Sequence, residues 1–224
     1  MLEAVIFDMD GVIVDTEPGY FKSLNAFLKR FGKSIDQKYN ERFFGTSNWD
    51  MWEYIKEDLR LDDVTVEECV KGMEEEREQL IEKEGYQPIK GTIALIKELH
   101  KAGVPLAVAS SSGMDEIDRV VDTLKIRSYF KHLVSGLDCE NAKPFPDVFL
   151  KAARKLEKNP ARCLVIEDSN NGALAGKRAG MQVIGFHNPE YGNQALEDAD
   201  YVVNTIEDIN LELCRKIGAL NKCD

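Results

Sequence analysis

Apolar positions along this chain follow two different rhythms. Short, unbroken apolar runs recur at Ala4 to Phe7, Pro105 to Ala109, Leu133 to Ser135, Cys163 to Ile166, Gln182 to Phe186 and Tyr201 to Val203. Runs of this length, rich in β-branched residues, fit strands covered on both faces, as in a parallel sheet. From Gly91 onward they alternate with helical segments, which predicts a right-handed, doubly wound α/β fold. Between about Thr16 and Tyr86 the rhythm is helical throughout, including an amphipathic segment from Tyr20 to Phe31. A helical domain at 16–86, inserted into an α/β core made of 1–15 and 87–224, accounts for both rhythms. Within the insert, Glu74-Glu75-Glu76-Arg77-Glu78 is expected to be a solvated helix face.

Polar clusters follow four of the apolar runs, and in a parallel sheet all of these fall at the carboxyl edge, where ligands bind. Asp8-Met9-Asp10-Gly11-Val12 follows the first run. Asp-Gly is also an ordinary turn pair, so convergence carries more weight than any single cluster. Ser110, Ser111, Ser112 and Gly113 follow the second run and precede a helix expected to begin near Met114. Hydroxyl and amide donors there suit a phosphate, although for this cluster taken alone a plain serine N-cap is the preferred reading. Lys143 stands in Ala142-Lys143-Pro144-Phe145-Pro146-Asp147, where the prolines stiffen the turn and favour a helix start near Asp147. Glu167-Asp168 adds two more acids before Ser169. Several carboxylates converging on one edge repel, and a hard divalent cation with oxygen ligands, magnesium above all, relieves that repulsion.

Composition narrows the partners. The chain has 224 residues, 43% of them hydrophobic, enough for a substantial core. Its formal net charge of −11 argues against nucleic acid and anionic membrane as partners. A small phosphorylated substrate remains compatible, because one lysine or cation reverses the potential inside a cleft. Five cysteines without a Cys-x-x-Cys pair read as reduced thiols rather than a zinc site. No apolar stretch reaches bilayer length and Met1-Leu2-Glu3 lacks a basic flank, so a cytoplasmic location is expected. His100, His132 and His187 match no metal spacing.

In their order and spacing, Asp8-Met9-Asp10-Gly11-Val12, Ser110, Lys143 in its proline setting, and Glu167-Asp168 resemble the motifs of the haloacid dehalogenase (HAD) superfamily. The particular likeness is to the subgroup containing β-phosphoglucomutase and small-molecule phosphatases, and it covers nearly the whole chain. The resemblance implies a Rossmann-like core with the insert as a cap. It implies that Asp8 is a nucleophile forming an aspartyl phosphate, and that Asp10 acts as general acid and then base. Magnesium would be held by Asp8, the Asp10 backbone carbonyl and Asp168, with Glu167 assisting through the water shell, while Lys143 and Ser110 hold phosphoryl oxygens. Substrate-binding candidates are Thr16, Tyr20, Gly45, Thr46, Ser47, Asn48, Trp49 and Ser111, although Trp49 and Trp52 are expected first as packing residues of the insert.

The activity implied is a magnesium-dependent phosphatase for a small phosphate monoester, a sugar phosphate by preference, working as a monomer. A phosphosugar mutase is the alternative. Tyr20 and Asn48 stand where the mutase pattern has a histidine and an arginine, which counts against it. From another class, a receiver domain would be shorter, lack a cap and carry its phosphorylated Asp on a later strand, and a silent phosphate-binding protein would not need all four clusters.

Overall fold

The computed structural model describes residues 2–43, 46–191 and 196–220. Contacts divide the chain into two compact units, Met1–Asp15 with Gln87–Asp224, and Thr16–Tyr86. In chain order, β1 (Ala4–Phe7) precedes the four helices of the second unit: α1 (Glu17–Lys29), α2 (Gln37–Asn40), α3 (Asn48–Leu59) and α4 (Val66–Glu84). The chain then runs through α5 (Thr92–Lys101), β2 (Leu106–Ser110), α6 (Met114–Thr123), β3 (His132–Ser135) and α7 (Asp147–Lys155). It ends with β4 (Cys163–Glu167), α8 (Asn170–Arg178), β5 (Gln182–Phe186), β6 (Tyr201–Val203) and α9 (Leu211–Ile217).

The strands form one sheet in the order β3-β2-β1-β4-β5-β6, every pair parallel. All residues of β1, β2, β4 and β5 are buried, which is why these strands read as continuous apolar runs. At the edge, β6 leaves Tyr201 and Val202 exposed. On α7, Val148, Phe149, Ala152 and Ala153 recur at helical spacing and pack into the core with Ile6, Ala107 and Val165. After β3 the chain returns to the far side of β1 and adds β4. The carboxyl ends of β1 and β4 therefore flank the topological switch point, where side loops diverge and leave a crevice.

The helical unit has its own core, built from Leu24, Phe27, Leu28, Met51, Trp52, Ile55, Cys69 and Met73. Gly72 lets α4 approach α1 closely, since a Cβ there would lie 1.9 Å from the Phe27 ring. Thr65 and Glu68 form a reciprocal capping box at the start of α4, and Ser47 caps α3.

Several sequence expectations are corrected. The serine after the second run is no helix cap: β2 extends through Ser110, which is fully buried, and α6 starts from Gly113 without a side-chain cap. In the acidic segment of α4 only Glu74 and Glu75 are exposed. Glu76 pairs with Arg30 at 2.5 Å and Arg77 packs over the Tyr20 ring, so α4 uses this segment to reach α1. Trp52 is fully buried as packing, whereas Trp49 is 50% exposed and its indole N–H donates to Glu53.

Candidate active site

Strand geometry brings the four clusters of the α/β unit to one edge. Asp8 directly follows β1, and its backbone N–H donates to Ile166 O at 3.0 Å, continuing the ladder towards β4. Phe7 is in register with Ile166, so Asp8 and Glu167 are neighbours across the switch point. The loop beyond Asp8 is closed by Gly11 N–H to Val14 O at 2.8 Å and Ile13 N–H to Met9 O at 2.8 Å. Gly11 has φ +78, and a Cβ there would lie 2.0 Å from Asp168 Oδ2. The position needs glycine for both its backbone and the approach of that acid. Gly172, near the start of α8, is constrained by space alone: its Cβ would fall 1.6 Å from Glu167 Oε1.

Lys143 ties the edge together. Its Nζ lies 2.5 Å from Asp8 Oδ1 and 2.8 Å from Glu167 Oε1, with all three side chains under a tenth exposed. The Lys143–Pro144 peptide is cis, and Phe145 N–H to Ala142 O at 2.9 Å closes the turn. Glu167 is oriented from its other oxygen, which accepts from the Ser169 N–H at 2.6 Å and the Ser169 hydroxyl at 2.9 Å. Ser169 also caps α8 through Gly172 N–H, so capping and orientation of the acid coincide in one residue.

Burial pushes the Asp8 carboxyl up; Lys143 opposes this, Glu167 and Asp10 add to it, and the balance stands at about 8. Asp168 is also held well above the ordinary carboxylate range by burial, then by Glu167 and Asp8, against Lys143. Burial works against the Lys143 ammonium, but Asp8 and Glu167 outweigh it and hold its pKa above the usual lysine value. Carboxylate oxygens of Asp8, Glu167 and Asp168 lie within 4.8 Å of one another, the one such acidic group among the described residues. Three acids facing one ammonium leave excess negative charge on hard oxygen donors, a set that fits a hard divalent cation.

Asp10 has a separate setting. Its Oδ2 accepts from the Ser112 hydroxyl at 2.8 Å and from the Ser110 hydroxyl at 3.3 Å, while Ser110 Oγ also accepts from Ser112 N–H at 3.0 Å. Ser135 fixes this loop by donating to Ser112 O at 2.8 Å. Sequence reasoning placed Ser112 among possible phosphate donors without pairing it with Asp10, and gave Ser169 no role in the site. Both stand two positions beyond a strand's terminal polar residue, a spacing that could have drawn attention to them.

The candidates in the helical unit separate into two groups. Tyr20, Thr46 and Asn48 border a cavity of about 240 Å³, together with Asn40, Phe43, Met51 and others that the sequence did not single out. Thr46 spends its hydroxyl on Phe43 O at 2.7 Å. Ser47 is occupied in capping α3 and Trp49 lies on the exposed side of that helix. Thr16 precedes α1 without a side-chain cap bond, and Gly45 lies outside the described residues. In the α/β unit, Ser111 is exposed in the turn after β2.

The doubly wound sheet and the family of its relatives together define the class, a phosphoric monoester hydrolase. The chain belongs to the haloacid dehalogenase-like hydrolase family, whose model matches residues 5–186. It is 31% identical over 213 residues to a probable pseudouridine-5'-phosphatase of Drosophila melanogaster, covering 92% of this chain and 91% of that protein. It is also 31% identical to a phosphorylated carbohydrates phosphatase of Thermotoga maritima, covering 82% and 84%. Among solved structures, a β-phosphoglucomutase from Clostridium difficile superposes with a TM-score of 0.73 at 28% identity, covering 97% of each chain. No helix among the described residues is long and apolar enough to cross a membrane.

Proposed function

We propose that this protein is a magnesium-dependent phosphatase that hydrolyses a small phosphate monoester, a sugar phosphate, through an aspartyl phosphate on Asp8. The observation that carries this reading is the Asp8–Lys143–Glu167 bridge beside Asp168 at the carboxyl edge of the sheet. Asp8, Asp168 and the Asp10 backbone carbonyl would hold the magnesium, with Glu167 supporting it through water. When bound, the ion supplies the positive charge that lets a carboxylate approach an anionic phosphate.

The residues then divide the work. Asp8 attacks phosphorus and the bond from phosphorus to the leaving oxygen breaks, while Lys143 and Ser110 hold the phosphoryl oxygens. Asp10 gives its proton to the leaving oxygen. It next takes a proton from the water that attacks phosphorus, and cleavage of the acyl phosphate regenerates the Asp8 carboxylate and releases inorganic phosphate. The helical unit 16–86 is the proposed cap that selects the alcohol. The names of the Drosophila and Thermotoga relatives favour esters of sugar type.

The likeness to a β-phosphoglucomutase favours one second reading, in which the phosphoryl group on Asp8 returns to a sugar instead of meeting water. Phosphorus NMR decides between them, using protein, magnesium, a panel of sugar phosphates including β-glucose 1-phosphate, and a trace of glucose 1,6-bisphosphate. Free phosphate as the main product is expected. Glucose 6-phosphate without free phosphate would replace the phosphatase by a mutase, and full turnover in chelator would remove the metal from the mechanism.

A further inference from the structure

Three serines stand behind Asp10, and the proposed chemistry uses only Ser110. Ser110 and Ser135 end the neighbouring strands β2 and β3 in register, and both are buried. Ser112, two residues beyond β2, is held from both sides. Its N–H donates to Ser110 Oγ at 3.0 Å, and its carbonyl accepts from the Ser135 hydroxyl at 2.8 Å. Ser135 Oγ accepts in turn from Leu137 N–H at 3.2 Å, which leaves its own proton for the Ser112 carbonyl. A Cβ on Gly136 would lie 3.2 Å from Ser110 O, so the turn after β3 closes tightly on the end of β2. With its backbone fixed in this way, Ser112 donates its hydroxyl to Asp10 Oδ2 at 2.8 Å.

The two hydroxyls on Asp10 Oδ2 have different futures. Ser110 has a single O–H proton, which points to Oδ2 at 3.3 Å, and the proposed function asks that same proton to hold a phosphoryl oxygen. Ser112 has no such second demand, and its bond to Oδ2 is the shorter of the two.

We infer that Ser112 is the positioning residue of the acid step: its hydroxyl keeps Oδ2 of Asp10 as an acceptor, so that Oδ1 carries the proton given to the leaving oxygen. The inference deepens the proposed function and rests on it, since Asp10 is the acid there. As the bond from phosphorus to the leaving oxygen breaks, the proton passes from Oδ1 to that oxygen and Asp10 becomes a carboxylate. A hydrogen bond to a charged acceptor is roughly twice as strong as one to a neutral acceptor. The Ser112 bond therefore strengthens as the transition state forms, and such a bond raises a rate rather than an affinity.

The test compares kcat/KM of wild type, Ser112→Ala and Ser112→Thr, with magnesium, on phenyl phosphate and 2,4-dinitrophenyl phosphate. The esters share a ring, but phenolate needs a proton to leave and dinitrophenolate does not. Ser112→Ala is expected to lower kcat/KM for phenyl phosphate about tenfold more than for the dinitrophenyl ester. Ser112→Thr, which keeps the hydroxyl, is expected to retain the wild-type ratio between the esters. A purely structural role for Ser112 would slow both esters alike. Equal losses, no loss on either ester, or a threonine variant that behaves like the alanine one would overturn the inference. Should Ser112→Ala fail to fold, Ser112→Cys, whose thiol is a weak donor of similar shape, is held to the same standard. A wild type that releases phosphate from neither aryl ester nor any sugar phosphate would refute the proposed function, and the inference with it. An active wild type whose variants leave the ratio unchanged would refute the inference alone.

Discussion

Lys143 and Asn40 are both buried polar side chains, yet their surroundings differ in kind. Lys143 lies 2.5 Å and 2.8 Å from two carboxylates, each anchored at the end of a strand. Asn40 lies at the end of a four-residue helix, beside a cavity walled by thioethers and aromatic rings. In the α/β unit, charge is fixed before any ligand arrives, because strand register sets the spacing and Ser169 and Ser112 set the orientation. In the helical unit, the cavity is walled largely by uncharged aromatic and thioether side chains, which are adaptable. The first arrangement suits chemistry common to many substrates, which needs preorganised charge. The second suits choice among them.

The largest effect that would break this contrast is on turnover. Asp8→Asn is expected to lower phosphate release about 10⁴-fold or more while the protein keeps its circular dichroism spectrum; near-normal release by the folded variant would remove the covalent role of Asp8. Next comes Lys143→Met, which leaves Asp8 and Glu167 facing each other without a counter-charge. Urea denaturation of the metal-free variant should show a loss of about 3 kcal/mol, and added magnesium should restore part of it by binding the folded state. An unchanged midpoint would mean that the bridge does not hold the edge together.

The pH dependence follows from the sign of the Asp8 shift. Its carboxyl stands at about 8 in the folded chain against 3.8 for an ordinary aspartate, so between these values the folded state keeps a proton that the unfolded state has released. That contribution is full at low pH and is lost as pH rises towards 8, by at most about 1.4 kcal/mol per pH unit. Denaturation of the metal-free protein from pH 5 to 8 should therefore show a steeper decline for wild type than for Asp8→Asn. Parallel profiles would contradict the shift. The smallest effect belongs to the helical unit: Thr65→Ala removes the capping box of α4 and should cost about 1 kcal/mol, read by thermal melting, with phosphate release from a small ester unchanged. A loss of release to match would show that the phosphate site depends on the stability of α4.

Much of the α/β unit was legible because its strands are buried on both faces. The bounds of β1, β5 and β6 coincide with apolar runs, and β2 differs from its run by a single residue at each end. The polar clusters stood out because charge directly after such a run is uncommon. The helical unit was less legible, since periodicity tells which face of a helix is buried and not which neighbour covers it. Trp49 and Trp52 look alike in sequence, yet one is half exposed and the other fully buried. Glu76 and Arg77 read as part of a solvated run until α1 supplies Arg30 and Tyr20.

Local pattern alone determined that this protein is a parallel α/β chain with a helical insert, and that its acids, serines and lysine gather at one edge. That follows because parallel strands all present their carboxyl ends on the same side. Tertiary structure decided which groups meet there: Lys143 with Asp8 across 135 residues and Asp10 with Ser112 across 102. Such meetings depend on register, loop closure and helix approach between distant segments, and hydrophobic periodicity carries no record of these.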